Sequence, residues 1–223
     1  MIKVIFFDLD DTLYSFKGTK LEVKSEMKAL EIAEMLQYYA RFIEIKKELT
    51  KGEDVMQEDR TVWFRKLLEE KGKDPEKAVE MNQIYWQTLV QGIELYRDFK
   101  QIEPELRKKY KLGVITDGIK KYQLDRFNAL GITDFDFFIT SEEVGMEKPN
   151  IRIFQKAIEI ARCDPEEAMM VGDNPIRDIK GAKKAGLKTV RLRRGYYSQM
   201  KSNADYEIEN YEELIPILGK FDS

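Results

Sequence analysis

IKVIFFDLDDTLYSF, residues 2–16, sets an apolar run directly against three aspartates within four positions. Five apolar residues around one lysine have the length and composition of a short buried strand. A chain that folds only to bury a core has no reason to crowd carboxylates against the end of that strand. The segment therefore predicts a strand whose carboxyl end carries a site that needs negative charge.

Short apolar runs alternate with helical patterns over most of the chain, which is typical of a parallel sheet covered by helices on both faces. Gly131 and Gly186 lie just past predicted helix ends, and Asn150 and Asn174-Pro175 stand at predicted helix starts. The predicted strands cover 2–7, 112–115, 136–139, 168–171, 188–192 and 206–208, and the predicted helices cover 119–130, 151–162, 176–185 and 211–219. We therefore expect an α/β fold with a doubly wound parallel sheet.

Residues 17–92 interrupt this alternation and contain no convincing strand. The apolar periodicity there predicts helices near 20–49, 54–71 and 75–92. We therefore expect two domains. One is an α/β core formed by 1–16 and 93–223, and the other is an all-helical domain, 17–92, inserted after the first strand.

The composition excludes several kinds of active site. The 223 residues include no histidine, which excludes Ser-His-Asp and Cys-His hydrolysis and histidine-ligated zinc. Cys163 is the only cysteine, so no internal disulfide can form. Any chemistry must use carboxylates, hydroxyls and lysine. Charged residues make up 35% of the chain, mostly Glu and Lys, a bias reported for proteins of hyperthermophiles, so we expect a thermophilic protein.

Charge and hydropathy indicate the partners and the location. With 38 Lys+Arg against 41 Asp+Glu, the net charge of −3 argues against nucleic acid as the main partner. The stretch RLRRGYY, 191–197, mixes cations and aromatics as some RNA-binding surfaces do, but on an acidic chain we interpret it as a loop near the cleft. No apolar run approaches the ~20 residues that cross a bilayer, and the N-terminus shows no signal peptide. We expect a cytoplasmic monomer or small homo-oligomer that binds no membrane.

Polar side chains follow four of the predicted strands. In open parallel α/β sheets, ligands bind beyond the carboxyl ends of the strands, so these side chains should meet at one edge. Each residue type alone is common in turns and caps, but together they predict an active site. They are Asp8, Asp10, Asp11 and Thr12 after the first strand, Thr116 and Asp117 after the second, Lys148 one loop after the third, and Asp173, Asn174 and Asp178 after the fourth.

Four short motifs at these strand ends occur in a fixed order: DLDDT (8–12), ITDG (115–118), EKP (147–149) and GDNPIRD (172–178). With them the sequence resembles the haloacid dehalogenase superfamily, most of whose members are phosphatases. The resemblance covers 1–16 and about 93–210. It implies a Rossmann-like sheet with strand order 5-4-1-2-3, and it implies that 17–92 is a cap over the active site.

The resemblance also implies a magnesium-dependent mechanism, and the chemistry of the residues agrees. Along an extended segment, Asp8 and Asp10 point to the same side about 7 Å apart, which favours a cation between them. Mg²⁺ would be held by Asp8, by the Asp10 backbone carbonyl, by Asp173 and by waters. Asp8 would then be the nucleophile that forms an aspartyl-phosphate, and Asp10 the acid and base for the leaving group and the water.

The remaining motif residues have supporting roles by the same resemblance. Thr116, Asp117 and Lys148 would bind the phosphoryl group of the substrate, whose charge is redistributed in the transition state. Asn174 and Asp178 would lie behind the residues that contact metal and substrate. Asp11 is interpreted as a turn residue without a catalytic role. The expected function is hydrolysis of a small phosphorylated metabolite.

Four alternatives stay open at this point. A 2-haloacid dehalogenase needs no protonation of a leaving oxygen, and in the superfamily Asp10 points away from that reaction. A phosphomutase shares the core residues, although one well-known type relies on a cap histidine that this chain lacks. A receiver-like phosphorylation switch uses a similar acidic cluster, but on a shorter chain without a helical insertion. A catalytically inactive scaffold is disfavoured because no motif residue is missing.

Overall fold

The structure of the protein, a computed structural model, describes residues 1–16, 19–49 and 60–221. By its internal contacts the chain separates into two compact units, Met1–Lys17 with Glu94–Ser223, and Gly18–Ile93. That the second unit acts as a cap stays a prediction. The part of the predicted 54–71 helix that covers 54–59 lies outside the described residues.

The first unit is built on a parallel sheet. Within the described ranges its strands are β1 (Val4–Phe7), β2 (Lys111–Thr116), β3 (Phe137–Thr140), β4 (Ala168–Gly172), β5 (Lys188–Leu192) and β6 (Tyr206–Ile208). They are ordered β3-β2-β1-β4-β5-β6, and every pairing is parallel. The doubly wound α/β class and the implied strand order are therefore confirmed, with β6 added at one edge.

Helices connect these strands and supply the regular structure of the second unit. In the described part of the chain they are α1 (Lys20–Ile32), α2 (Tyr39–Leu49), α3 (Arg60–Glu70), α4 (Lys77–Val90), α5 (Arg97–Lys109), α6 (Lys120–Ala129), α7 (Ser141–Val144), α8 (Ile151–Ala161), α9 (Gly181–Lys184) and α10 (Leu214–Gly219). None of these helices combines the length and the apolar composition that crossing a membrane requires.

The sheet places apolar residues on both of its faces. On one face Phe6 joins a buried cluster with residues of α8 such as Ile153 and Phe154. On the other face the ring of Phe7 packs edge-on against that of Phe99 in α5, with centroids 5.1 Å apart. Because neighbouring residues of β1 point to opposite faces, this central strand is fully buried, and it fixes where the chain emerges at Asp8.

Several helices begin or end at the residues that the sequence predicts. The Asn150 side chain accepts the Arg152 N–H at 3.0 Å and begins α8. Gly131 and Gly186 have φ of 74° and 92°, the left-handed conformation expected just past a helix end. The Asn174 side chain accepts the N–H groups of the second and third residues after it and begins the next helical segment. The predicted starts and ends at these positions are confirmed.

Two helical predictions differ from the structure. The single helix expected over 20–49 is broken, because Glu34 is left-handed with φ of 56° and the Met35 N–H bonds back to the Leu30 carbonyl at 2.8 Å. This is a Schellman ending, which glycine usually marks and glutamate does not. The helix expected over 176–185 begins instead as a π-helix at Pro175–Lys180, before α9.

Candidate active site

The carboxyl ends of β1 and β4 bring Asp8 together with two acidic side chains that lie far from it in sequence. The Asp8 N–H donates to the Val171 carbonyl at 2.9 Å, so Asp8 leaves the sheet beside the end of β4. Asp173 follows β4, and Asp178 lies one helical turn later. A carboxylate oxygen from each of these three buried aspartates lies within 4.8 Å of the others.

Lys148 provides a positive charge inside this cluster. Its ammonium donates to Asp8 Oδ1 at 2.5 Å and to Asp178 Oδ1 at 2.7 Å, and it also reaches the Ile115 carbonyl at 3.1 Å. Burial opposes the charge, but the carboxylates of Asp178 and Asp8 raise the pKa of Lys148 well above its usual value. The lysine is therefore protonated. Lys148, which the sequence placed among the phosphate-binding residues, lies against Asp8 in the structure.

When all three carboxylates are ionised, they exceed the one ammonium by two negative charges in a buried space. Burial raises the pKa values of Asp8 and Asp173, and for Asp173 the carboxylates of Asp178 and Asp8 add to the effect. Asp173 Oδ2 is buried and accepts no hydrogen bond from the residues that the structure describes. A hard divalent cation that prefers oxygen ligands fits both the charge and this oxygen, and Mg²⁺ is such a cation.

Thr12 joins the strand ends of Asp8 and Asp173, a role that the sequence did not predict. Its hydroxyl oxygen accepts the Asp173 N–H at 3.1 Å and lies 3.4 Å from Asp8 Oδ2. Asp11, in contrast, is a turn residue as expected. It is left-handed with φ of 60°, and its carboxylate accepts the Phe16 N–H at 2.7 Å.

Thr116 ends β2, and Asp117, which follows the strand, lies beside Lys148. The Asp117 carboxylate accepts the Lys148 backbone N–H at 2.9 Å and a hydrogen bond from Arg177 Nη1 at 3.2 Å. Because both carboxylate oxygens are engaged, we expect Asp117 to serve a phosphoryl group through its backbone N–H. Thr116 is buried, and its hydroxyl makes one long contact of 3.5 Å to the Asp117 carbonyl, which leaves it able to turn toward a ligand.

Asn174 and Asp178 shape the turn after β4 by hydrogen bonds that involve backbone groups. Asp178 Oδ2 accepts the Asn174 N–H at 2.9 Å, while Oδ1 accepts the Lys148 ammonium. The Asn174 carbonyl in turn accepts the N–H groups of both Asp178 and Ile179, which widens this turn into the π-helix. The turn therefore aims Asp178 at Lys148.

The Asp10 side chain points to a different set of partners. Both of its oxygens accept hydrogen bonds from Arg126 Nη1, at 2.7 and 2.8 Å, and one also accepts the Tyr14 hydroxyl. The sequence argument placed a cation between Asp8 and Asp10, but the cation that faces the Asp10 carboxylate is a guanidinium. Sequence reasoning missed Arg126. The available signal was that Gln123, Arg126 and Phe127 share the buried face of α6, where an arginine needs a partner.

A model of haloacid dehalogenase-like hydrolases matches residues 2–186 of the chain. The chain belongs to this family. The family that the four motifs predicted is therefore confirmed.

The relatives of this hydrolase include named phosphatases. It is 34% identical to a glyceraldehyde 3-phosphate phosphatase of Methanopyrus kandleri over 98% of this chain and 97% of that protein. It is 31% identical to a ribulose-1,5-bisphosphate 5-phosphatase of Halopiger xanaduensis over 92% and 90%. Its fold matches the putative HAD-hydrolase YfnB from Bacillus subtilis bound to magnesium, with a TM-score of 0.78, 26% identity and coverage of 98% and 99%. The predicted enzyme class, a phosphoric monoester hydrolase of this family, is confirmed.

The RLRRGYY stretch of the hydrolase is partly buried, with Arg191 inside the protein and Arg193 exposed. Arg191 is buried and donates to the Tyr197 and Met200 carbonyls at 2.6 and 2.5 Å. Its Nε lies 3.4 Å from the Asp173 carbonyl. Arg194 pairs with Asp98. Arg191 and Leu192 belong to β5, and the rest of the stretch follows that strand. That this segment lines a cleft stays a prediction.

Gly172, the last residue of β4, has no side chain, and Asp178 occupies the space beside it. A Cβ at this position would lie 2.5 Å from Asp178 Cγ and Oδ2, so Gly172→Ala must displace the carboxylate that holds Lys148. We expect the free energy of unfolding to fall by about 1–3 kcal/mol, the usual cost of overpacking. Thermal unfolding should show this loss. The matched control is Gly219→Ala, where a Cβ meets nothing within 4 Å and the melting temperature should not fall. A wild-type melting temperature for Gly172→Ala would contradict the packing argument.

Proposed function

We propose that this hydrolase is a magnesium-dependent phosphatase that cleaves a small sugar phosphate or related metabolite through an aspartyl-phosphate on Asp8. The observation that carries the proposal is the buried cluster of Asp8, Asp173, Asp178 and Lys148, with its excess of acidic groups over the one ammonium and its unpaired Asp173 oxygen. The two named relatives, which are phosphatases of small phosphorylated sugars, support the substrate class.

The metal-binding residues in this proposal are Asp8, Asp173 and the backbone carbonyl of Asp10. When bound, Mg²⁺ would offset the charge of the phosphoryl group, so that a carboxylate and a phosphate can approach one another. The fold holds these metal-binding groups at fixed positions. Thr12 bonds the backbone of Asp173 and lies against Asp8, so the two carboxylates are held together before any ligand arrives.

The reaction proceeds in two displacements at phosphorus. In the first, an oxygen of Asp8 forms a bond to phosphorus while the bond to the leaving oxygen breaks. Asp10, which enters this step with a proton on one carboxyl oxygen, gives that proton to the leaving oxygen and becomes a carboxylate. In the second, Asp10 takes a proton from water as the water oxygen attacks phosphorus. The Asp8–phosphorus bond then breaks, phosphate leaves, and both aspartates return to their initial states.

Lys148, Thr116 and the Asp117 N–H bind the phosphoryl oxygens in this proposal. The Lys148 ammonium already contacts Asp8, so it lies beside the atom that would attack phosphorus. A fixed positive charge in a buried site stabilises developing negative charge more strongly than the same charge in water. Its position is fixed twice, by the two carboxylates at its ammonium and by Asp117 at its backbone.

The proposal is tested by measuring phosphate release from a panel of phosphorylated three- to six-carbon sugars and acids in the presence of Mg²⁺. The panel includes glyceraldehyde 3-phosphate and ribulose-1,5-bisphosphate, the substrates in the names of the relatives. We expect continuous turnover of at least one member. A single phosphorylation without turnover would favour the receiver-like switch, and release of halide from 2-haloacids without phosphatase activity would favour the dehalogenase.

Removal of the metal should abolish the activity. Excess EDTA should reduce phosphate release to background, and added Mg²⁺ should restore it, because the acidic residues of the cluster outnumber its one ammonium and would otherwise repel the substrate phosphate. Calorimetric titration with Mg²⁺ provides a readout that does not depend on activity. Asp173→Asn should weaken the binding of Mg²⁺ in this titration. Full activity in excess EDTA would refute the metal site.

A further inference from the structure

The orientation of Asp10 is fixed by two side chains that neither the motifs nor the family assignment singles out. Arg126 Nη1 donates to both carboxylate oxygens at 2.7 and 2.8 Å, and the Tyr14 hydroxyl donates to one of them. Arg126 Nη1 also lies 3.3 Å from the Tyr14 hydroxyl oxygen, so the three groups form a closed set of hydrogen bonds. The Asp10 carboxylate is therefore held by two residues, Arg126 and Tyr14.

The two partners of Asp10 are themselves buried. The side chain of Arg126 is 3% exposed and that of Asp10 is 23% exposed, so the cation is buried while its partner reaches the surface of the site. The guanidinium carbon lies 5.5 Å from the centre of the Phe16 ring, and Nε donates to the Tyr122 carbonyl at 3.3 Å. Tyr14 is fully buried.

Burial of the Arg126 guanidinium is energetically unfavourable, so its presence here needs an explanation. Taking such an ion out of water costs several kcal/mol, and the cost is offset only where the geometry of its pair is good. Arg126 could have been replaced by an apolar residue on the buried face of α6 if packing were its only task. Its one carboxylate partner among the ion pairs of the described residues is Asp10, the residue with the acid–base role in the proposed reaction.

We propose that Arg126, assisted by Tyr14, is a positioning residue that orients the Asp10 carboxylate for proton transfer to and from the reacting oxygens. The inference rests on the proposed phosphatase function. An aspartate without these partners would populate several staggered rotamers, and only some of them direct an oxygen at the leaving group. Misplacement of a catalytic group by about 1 Å can cost on the order of 10²-fold in rate.

The test is a double-mutant cycle on kcat with an alkyl phosphate as substrate. Arg126→Gln should lower kcat by on the order of 10²-fold with little change in KM, because the interaction acts on proton transfer rather than on substrate binding. Added to Asp10→Asn, the same change should have almost no further effect, because the residue that it positions is already disabled. Arg126→Lys should recover part of the rate, since a single nitrogen makes both contacts to Asp10. Tyr14→Phe should cause a smaller loss than Arg126→Gln.

Arg107→Gln is the matched control. Arg107 lies in the same unit, pairs with Glu103 and Asp134, and stands 5.8 Å from the centre of the Phe135 ring. It therefore resembles Arg126 in its kind of contacts without touching the candidate site, and its replacement should leave kcat unchanged. Melting temperatures of all variants separate loss of rate from loss of folding.

The outcomes distinguish this inference from the proposed function. If wild type turns over and Asp10→Asn is impaired, the function stands, and the inference is overturned by either of two results. One is a wild-type kcat for Arg126→Gln in a folded protein, and the other is a full additional loss when it is combined with Asp10→Asn. If wild type releases no phosphate from any substrate, the proposed function fails. A crystal structure of Arg126→Gln with Asp10 unmoved would then overturn the positioning role as well.

Discussion

Asp8→Asn should abolish phosphatase activity, with a loss on the order of 10⁶-fold in kcat, the scale known from removal of a catalytic nucleophile. An amide oxygen is a poor nucleophile and a weaker ligand for Mg²⁺, so both proposed roles of Asp8 are lost together. Phosphate release from the preferred sugar phosphate measures the loss. Rapid acid quenching with labelled substrate should trap phosphate on the wild-type protein and none on the variant.

Folding provides the control for this first prediction. Burial raises the pKa of Asp8, which means that the folded protein disfavours its charge. A neutral amide of the same shape can still accept the hydrogen bond from Lys148, and Lys148 keeps its contact with Asp178. The melting temperature of metal-free Asp8→Asn should therefore equal or exceed that of wild type. Substantial activity in this variant would rule out the aspartyl-phosphate mechanism.

Asp10→Asn should lose roughly 10²–10⁴-fold in rate, the usual contribution of positioned acid–base catalysis. The backbone carbonyl of Asp10 is unchanged, so we expect Mg²⁺ to bind the variant almost as it binds wild type. The loss should be smallest for aryl phosphates, whose leaving groups need little protonation, and largest for alkyl phosphates. The measurement is the ratio of the two rates in each protein.

This ratio separates a chemical role from a structural one. Loss of a merely structural residue would lower the rates on alkyl and aryl phosphates by the same factor. Mg²⁺ titration by calorimetry shows whether the metal site survives in Asp10→Asn. Wild-type rates on the alkyl phosphate would exclude Asp10 as the acid and base, and would remove the basis for a positioning role of Arg126.

The sheet and the members of the acidic cluster were accessible from sequence for a physical reason. Buried parallel strands are continuous apolar runs, and their order along the chain brings the residues that follow them to one edge. Asp8 and Asp173 could be placed at the ends of their strands without knowing any long-range contact. Asn150 and Gly131 marked helix boundaries because capping depends on nearby residues alone.

The partners of Asp10 were not accessible in the same way. Arg126 lies 116 residues from Asp10 along the chain, so the local pattern can place Arg126 on the buried face of α6 but cannot identify its partner. The carbonyl partners of Arg191 were not accessible for the same reason, because they lie in a loop that folds back on it. Glu34 ends α1 in the left-handed conformation, which could not be predicted from a glutamate. Predictions from local pattern fail where the structure depends on a distant partner.

The central position of β1 has a consequence for the newly made chain. Asp8 emerges from the ribosome early, but β1 pairs with β2 and β4, so the strand that carries Asp173 is added only after some 160 more residues have been synthesised. Closing so long a loop is entropically costly until the strands between have paired. An unfinished chain therefore carries the proposed nucleophile without its metal ligand. In the proposed mechanism, Asp8 would become reactive only when the core is nearly complete.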